Sequence, residues 1–292
     1  MSKHHEKLLV RQTLDKVGKN WSLASLTVTK HVANLKTIGR FMAKSQGLND
    51  ITHMKTKHVD AFIRFLREDK QLAPSTLQGY ATALRLVATA IGKAHIVKSN
   101  FELGATRPNV DRFKNSSTPS DLERLAGIKS ALYAKSQWQG VAFEMQEKFG
   151  LRIKESLGAN QVERINGRDY LRIPAGFTKN ALERRMEITS SDQRDILIKV
   201  NAIKAEQGTP GLIPAKLSLK QGYWKQVNAI RNLGGTKANK ANSHCLRREH
   251  IRGRYKEIKN IPDKSEQHDA KDKLTQESGH FDPGKIRHYA EV

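Results

Sequence analysis

Apolar positions along the first hundred or so residues recur every three or four places, the spacing of helices that bury one face. Val28, Val32, Leu35, Ile38 and Met42 form one stripe, which Gly47 ends. Val59, Phe62, Ile63 and Leu66 form a second. Leu77, Tyr80, Leu84, Val87 and Ile91 form a third, opened by Pro74-Ser75-Thr76 and closed near Gly92. A shorter run, Leu8, Leu9, Val10, Leu14 and Val17, precedes them. Four such helices close a small bundle, and their stripes are core rather than a cofactor box. The opposite faces carry Lys30, Lys36, Arg40, Lys55, Lys57, Arg64 and Arg85.

The helical pattern breaks between Leu103 and Ser117, where Gly104, Pro108, Asn109, Asn115 and Ser116 interrupt it. The break divides the chain into a helical domain over residues 1–103, a linker over 104–117 and a second domain over 118–292. Thr118-Pro119-Ser120-Asp121 restarts a helix, with a capping threonine, proline at the first helical position and an acid in the first turn. Leu122, Leu125, Ile128 and Leu132 make its apolar face; Val141, Met145 and Phe149 make that of the next helix, which runs up to Leu151-Arg152. Asp169 to Pro174 and Arg185 to Ile188 then read as strands joined by the turn-rich Gly176-Phe177-Thr178-Lys179-Asn180. The expected fold class is therefore mainly α with a small β-hairpin or sheet. Lys256 to Lys273, charged, broken by Pro262 and almost without apolar residues, reads as an exposed insertion. No internal repeat is visible.

Charge narrows the function. Lys and Arg number 52 against 29 Asp and Glu, giving a net charge of +23 and a pI near 10.1. Such an excess attracts polyanions at long range, so nucleic acid is a better partner than for a generically basic protein. No apolar run reaches the roughly 18 residues of a spanning helix. Lys7 to Lys16 alternates charged and aliphatic residues where a signal peptide would carry an apolar core. One cysteine, Cys245, excludes an internal disulfide, fits a reducing cytoplasm and reads as a small buried filler. His4 and His5 are too few for a metal site, and no ligand cluster has metal spacing. Gly234-Gly235-Thr236-Lys237 lacks the first half of a P-loop. Neither a metal nor another cofactor is expected.

Three distant segments carry the candidate chemistry: Gly150-Leu151-Arg152-Ile153-Lys154-Glu155-Ser156-Leu157, His244-Cys245-Leu246-Arg247, and Gly279-His280 with Tyr289 nine residues on. Arginine presents a planar fork to phosphate oxygens, histidine exchanges protons near neutral pH, and tyrosine can form a covalent phosphate ester. His244 and Arg247, three apart, share a face if helical. Glu155, three after Arg152, either orients a catalytic group or forms a simple surface ion pair. Each segment alone arises often by chance. In this order, with a lysine turn between the first two, they resemble the tyrosine recombinase (phage-type integrase) family over residues 150–289. Thr76-Leu77-Gln78-Gly79-Tyr80-Ala81-Thr82-Ala83-Leu84-Arg85 more loosely resembles that family's helical core-binding domain.

The resemblance implies a helical core-binding bundle followed by an α+β catalytic domain, the two gripping opposite faces of double-stranded DNA. Arg152, Arg247 and His280 would bind the non-bridging oxygens of the scissile phosphate, and Tyr289 would attack, leaving a 3′-phosphotyrosyl bond and a 5′-hydroxyl. His244 is the candidate to help deprotonate the tyrosine, whose hydroxyl ordinarily has a pKa of about 10. Lys179 would protonate the departing oxygen, with Arg184 and Arg185 as rivals. The family pattern also implies a homotetramer on paired DNA sites, an accessory directionality or DNA-bending protein, and a place at the bacterial nucleoid. Two departures stand out: the interval from Arg247 to His280 is long, and only Ala290-Glu291-Val292 follow Tyr289, too few for a helix exchanged between protomers. Type IB topoisomerases use similar groups, and a DNA-binding protein with a decayed recombinase fold is a third reading. The presence of all six expected groups argues against decay.

Overall fold

The computed structural model describes residues 3–18, 25–107, 117–179 and 181–279. It divides into two compact units, Met1–Val110 and Asp111–Val292.

In the first unit the four expected helices are α1 (Lys3–Val17), α2 (Ser25–Lys44), α3 (Thr56–Arg64) and α4 (Pro74–Ala90). Leu35, Ile38 and Met42 of α2, Val59 and Phe62 of α3, and Leu84 and Val87 of α4 are fully buried in one core. Each such side chain contributes about 1.5–3 kcal/mol through its removal from water. Phe62 sits at the centre, its ring 5.1 Å from Phe41 and 5.6 Å from Tyr80. α2 ends as its sequence indicates: Gly47 takes φ +65° and Leu48 N donates to Met42 O at 3.0 Å. α1 lies on α2 at Gly39, where a Cβ would come within 2.9 Å of Val10 Cα. Of the α1 stripe, Leu9 is buried and Leu8 is exposed.

The second unit opens with α5 (Pro119–Lys135), whose capping box forms as expected: Asp121 N donates to Thr118 Oγ1 at 3.2 Å, and Thr118 N to the Asp121 carboxylate at 2.9 Å. α6 (Gln137–Phe149) and the short α7 (Ile153–Gly158) follow, then an antiparallel sheet of β1 (Gln161–Ile165), β2 (Arg168–Ile173) and β3 (Arg184–Glu187) in that order. β1 escaped the strand pattern because both its faces are largely solvated, with Val162 and Ile165 exposed. Its turn does carry a signal: Asn166-Gly167 joins β1 to β2 with both residues left-handed, the usual two-residue hairpin. α8 (Ser191–Gln207) and α9 (Leu219–Asn232) complete a core in which Leu171, Ile173, Ile196 and Val200 are fully buried.

The chain ends, within the described residues, in a helical hairpin of α10 (Ser243–Lys259) and α11 (Lys264–Glu277). This corrects the reading of Lys256 to Lys273 as an exposed insertion. Ile251, Ile258 and Leu274 are buried along the seam, with Tyr255, Ile261 and Ala270 packed beside them. Asp263 caps α11 by accepting from Glu266 N at 2.8 Å, and the Gln267 amide donates to Lys259 O at 3.2 Å. A two-helix seam needs few apolar positions, so composition alone understated its order.

Candidate functional site

Gly150 ends α6 at φ +60°, and a Cβ there would lie 2.7 Å from His250 Cδ2, so both conformation and space require glycine. The turn delivers Arg152 to the start of α7. Glu155, one turn on and fully buried, accepts from Arg152 N at 2.8 Å and from Arg152 Nη1 at 2.7 Å. Its two oxygens also accept from Arg184 Nη1 at 2.9 Å and Nη2 at 2.7 Å. Burial raises the Glu155 carboxyl, but the hydrogen bonds and charge of Arg184, then those of Arg152, outweigh it and hold the group down to about 2. Glu155 is thus an ionised anchor for two arginines, not half of a surface pair. Arg152 keeps 31% of its side-chain surface open, Arg184 only 10%.

α10 supplies the second segment. Asn242 caps it, its Oδ1 accepting from His244 N at 2.9 Å, which sets His244 in the first turn and Arg247 one turn along. Arg247 is buried; its Nη1 donates to Gly150 O at 2.6 Å and its Nη2 to Ser278 O. One guanidinium therefore ties the turn before Arg152 to the residue before Gly279. Gly279, at φ +62°, sits against the arginines: a Cβ there would lie 2.8 Å from Arg184 Nη1 and 3.6 Å from Arg152 Nη1. The His244 ring keeps solvent-exposed surface, yet crowding by protein atoms, followed by the charges of Arg247, Arg248 and Arg152, lowers its pKa below the usual histidine value. That direction favours the neutral imidazole, the form able to accept a proton.

These contacts bring together Arg152, His244, Arg247 and the start of the Gly279 segment. His280 and Tyr289 lie outside the described residues. Lys179 is exposed in the connection between β2 and β3. Phe177, in the short 3-10 turn Ala175–Phe177, packs its ring where Gly158 lacks a side chain, tying that connection to the end of α7. The two arginine rivals separate by face. Arg184 opposes the buried Ile173 across the ladder and turns inward to Glu155, whereas Arg185 pairs with Glu163 at 2.7 Å and Glu183 at 3.2 Å on the exposed side. Strand alternation held this signal, because Arg184 shares a face with buried Met186. Cys245 is buried beside Leu246. Gly234 and Gly235 form the turn that ends α9, Gly235 N donating to Ile230 O at 2.8 Å. Among the described residues no group of three or more His, Cys, Asp or Glu is gathered as for a metal ion, and no helix is long and apolar enough to cross a membrane.

Electrostatically, two guanidinium groups, those of Arg152 and Arg184, share the one carboxylate of Glu155. That leaves one positive charge more than Glu155 cancels, on groups partly withdrawn from water, where an anion is favoured. A phosphate, with several acceptor oxygens, suits planar forks better than a single carboxylate does.

No protein-family model matches the sequence, and no curated protein sequence does. Solved structures do. The XerH site-specific recombinase, in a pre-cleavage complex with its difH substrate, aligns with a TM-score of 0.58 at 16% identity over 91% of this chain and 76% of that one. A lambda integrase dimer bound to a COC′ core site gives 0.58 at 15% identity over 99% and 75%. The Tn1549 transposon integrase, in complex with transposon right end DNA, gives 0.57 at 16% identity over 97% and 95%. At such identities the likeness speaks for the backbone architecture, a helical unit followed by a helical unit with a small antiparallel sheet: the chain has the fold of the tyrosine recombinases.

Proposed function

We propose that this protein is a site-specific DNA recombinase of the integrase type, which cuts and rejoins strands through a 3′-phosphotyrosyl intermediate. The observation that carries the reading is the convergence of Arg152, Arg184 and the Gly279 turn, to which Arg247 is tied, with two arginines sharing the single Glu155 carboxylate. In this reading Arg152 and Arg247 bind the non-bridging oxygens of the scissile phosphate, and His280 joins them. They stabilise the charge that grows in the pentavalent transition state. Tyr289 attacks in line and keeps the phosphate ester as a protein linkage, so rejoining needs no ATP. His244, neutral before reaction, takes the tyrosine proton. Lys179, from the loop tied to α7, protonates the departing 5′ oxygen. Double-stranded DNA is the substrate, two sites are paired by a homotetramer, and the first unit is the core-binding domain. The three solved neighbours, each bound to DNA or to a DNA site in its own structure, support the substrate class.

The test is a nicked suicide substrate built from the DNA flanking the gene. The wild-type protein should form an adduct that survives denaturant, and Tyr289→Phe should form none while binding the DNA equally well. An undiminished adduct in that variant would move the nucleophile elsewhere, Tyr255 being next. No adduct with any flanking sequence the protein binds would leave a DNA-binding protein without strand transfer. Holliday junctions from two sites, rather than relaxation of supercoiled DNA, distinguish a recombinase from a topoisomerase.

A further inference from the structure

Arg184 has no part in the chemistry assigned above, yet it is the most deeply placed of the groups touching both Glu155 and the Gly279 turn. Two features set it apart from a generic buried ion pair. The first is how it divides the carboxylate. Arg184 approaches both oxygens of Glu155, with Nη1 at 2.9 Å and Nη2 at 2.7 Å, while Arg152 reaches Glu155 through Nη1 alone among its side-chain donors. A carboxylate facing a lone arginine takes it fork to fork, which fixes the guanidinium and cancels its charge. With Arg184 in that place, Arg152 is held by one edge and retains donors for another anion.

The second feature is the contact with Gly279. The position a Cβ would take is 2.8 Å from Arg184 Nη1, closer than any real side chain sits, and the residue is left-handed. The Gly279 backbone therefore lies directly against the Arg184 guanidinium. From the preceding residue, Ser278 O accepts from Arg247. The same turn thus rests on Arg184 and is tied to Arg247.

We propose that Arg184 is a positioning residue for the phosphate site: it occupies the fork of Glu155 so that Arg152 stays available to the anion, and it forms the floor on which Gly279 turns the chain toward His280. The inference rests on the phosphate-transfer reading for its consequences in catalysis, but its geometry is that of an anion site in any reaction. The low ionisation range of Glu155 agrees with it, since Arg184 supplies the largest of the influences holding that carboxyl down. In its absence Glu155 would be free to capture Arg152.

The experiment compares Arg184→Met, Arg184→Lys and the double variant Arg184→Met/Glu155→Gln. Arg184→Met should cleave suicide substrate about 100-fold more slowly, the cost of misplacing a catalytic group by about an ångström, with DNA affinity within about twofold of wild type. Adding Glu155→Gln removes the charge that captures Arg152 and should restore the rate by about tenfold. Because it also relieves a buried unpaired carboxylate, thermal melts are run alongside; a rate that returns only in step with the melting temperature assigns a purely structural role and overturns the proposal. Arg184→Met should also slow further as pH rises and Glu155 ionises, a dependence that the double variant lacks. Arg184→Lys keeps the charge and the fold but covers the fork poorly, and should lose about tenfold. A wild-type rate in Arg184→Lys or Arg184→Met, or a double variant no faster than Arg184→Met, overturns the proposal. If Arg184→Met fails to fold, Arg184→Lys alone decides. Should the wild-type protein form no adduct, the recombinase reading fails separately, and calorimetric titration with inorganic phosphate tests the floor. Binding about tenfold weaker in Arg184→Met and regained in the double variant supports it; equal binding by wild type and Arg184→Met overturns it.

Discussion

His250 shows how a side chain outside the chemistry sets the conditions under which the site exists. Its ring packs against Gly150, and burial, then the charges of Arg254 and Arg247, pull its pKa down to about 4 against the opposing hydrogen bond to the Glu147 backbone. The unfolded chain binds this proton near pH 6.5, the folded chain only near 4. The contribution is therefore complete above about pH 6.5 and is lost as pH falls through that window, with a total of roughly 3 kcal/mol. His244, also lowered, acts in the same direction. Glu155 does not share this window: its contribution is present above the ordinary carboxylate range and disappears only as pH falls toward about 2. Chemical denaturation at pH 7.5 and pH 5 should show the wild type losing stability, and His250→Asn should flatten that difference. An equal pH dependence in the variant would assign the loss to other groups. Gly279→Ala makes a second prediction at this scale. It must adopt a left-handed backbone and push against Arg184 Nη1. It should cost about 1–2 kcal/mol in unfolding experiments and slow cleavage more than it weakens DNA binding; unchanged cleavage would show that the turn toward His280 is not held by this contact.

At the scale of elements, legibility followed burial pattern. The helices of the first unit were readable because Leu35, Ile38, Met42, Phe62 and Leu84 keep a regular period and end at Gly47 and Gly92. β1 was not, because a strand solvated on both faces has no alternation to show. α8 also went unread, although Ser190 caps it with Gln193 and Gly208 ends it at φ +59°. Its buried residues, Ile196, Leu197, Val200 and Ile203, are spread among charges that mask the stripe. The site segments could be named from motifs, but the arrangement of Arg184 beneath them depends on a long-range pairing of β3 with α7 that no local pattern encodes. α11 is the most consequential misreading, since it is this helix that carries Ser278 and Gly279 to Arg247 and Arg184. It is also moored to β3: Lys273 pairs with Glu187, and Glu187 N donates to the buried Glu277 at 3.3 Å. Leu274→Ala, which empties part of a small seam, should destabilise the hairpin by about 2–4 kcal/mol. Hydrogen exchange in α10 and α11 should rise before that of α6, and cleavage should fall with it. Undisturbed cleavage in a variant whose α11 exchanges freely would mean that the Gly279 segment does not depend on this mooring.

At the scale of the molecule, the dominant quantity is a net charge of +23 spread over two units with separate cores. Much of the acid present is already engaged: Glu144, Glu147, Glu163, Glu183 and Asp192 all sit in ion pairs with neighbouring Lys or Arg. The surplus of cations is therefore available to a polyanion rather than spent internally. For a DNA-binding protein the consequence is counterion release, in which each phosphate neutralised adds about 0.9 to the slope of log affinity against log salt. A slope of several units is expected between low and physiological salt, and a flat response would contradict binding through these cations. Because each unit buries its own core, fragments separated within residues 104–117 should fold, as thermal melts can establish. If both units contact DNA, each fragment should bind more weakly than the whole and with a shallower salt slope. The intact chain should exceed either fragment by about 100-fold or more, since the second contact is then made within one complex. If one fragment alone matches the intact protein in affinity and in slope, the other unit does not hold DNA, and the assignment of the first unit as a core-binding domain fails with it.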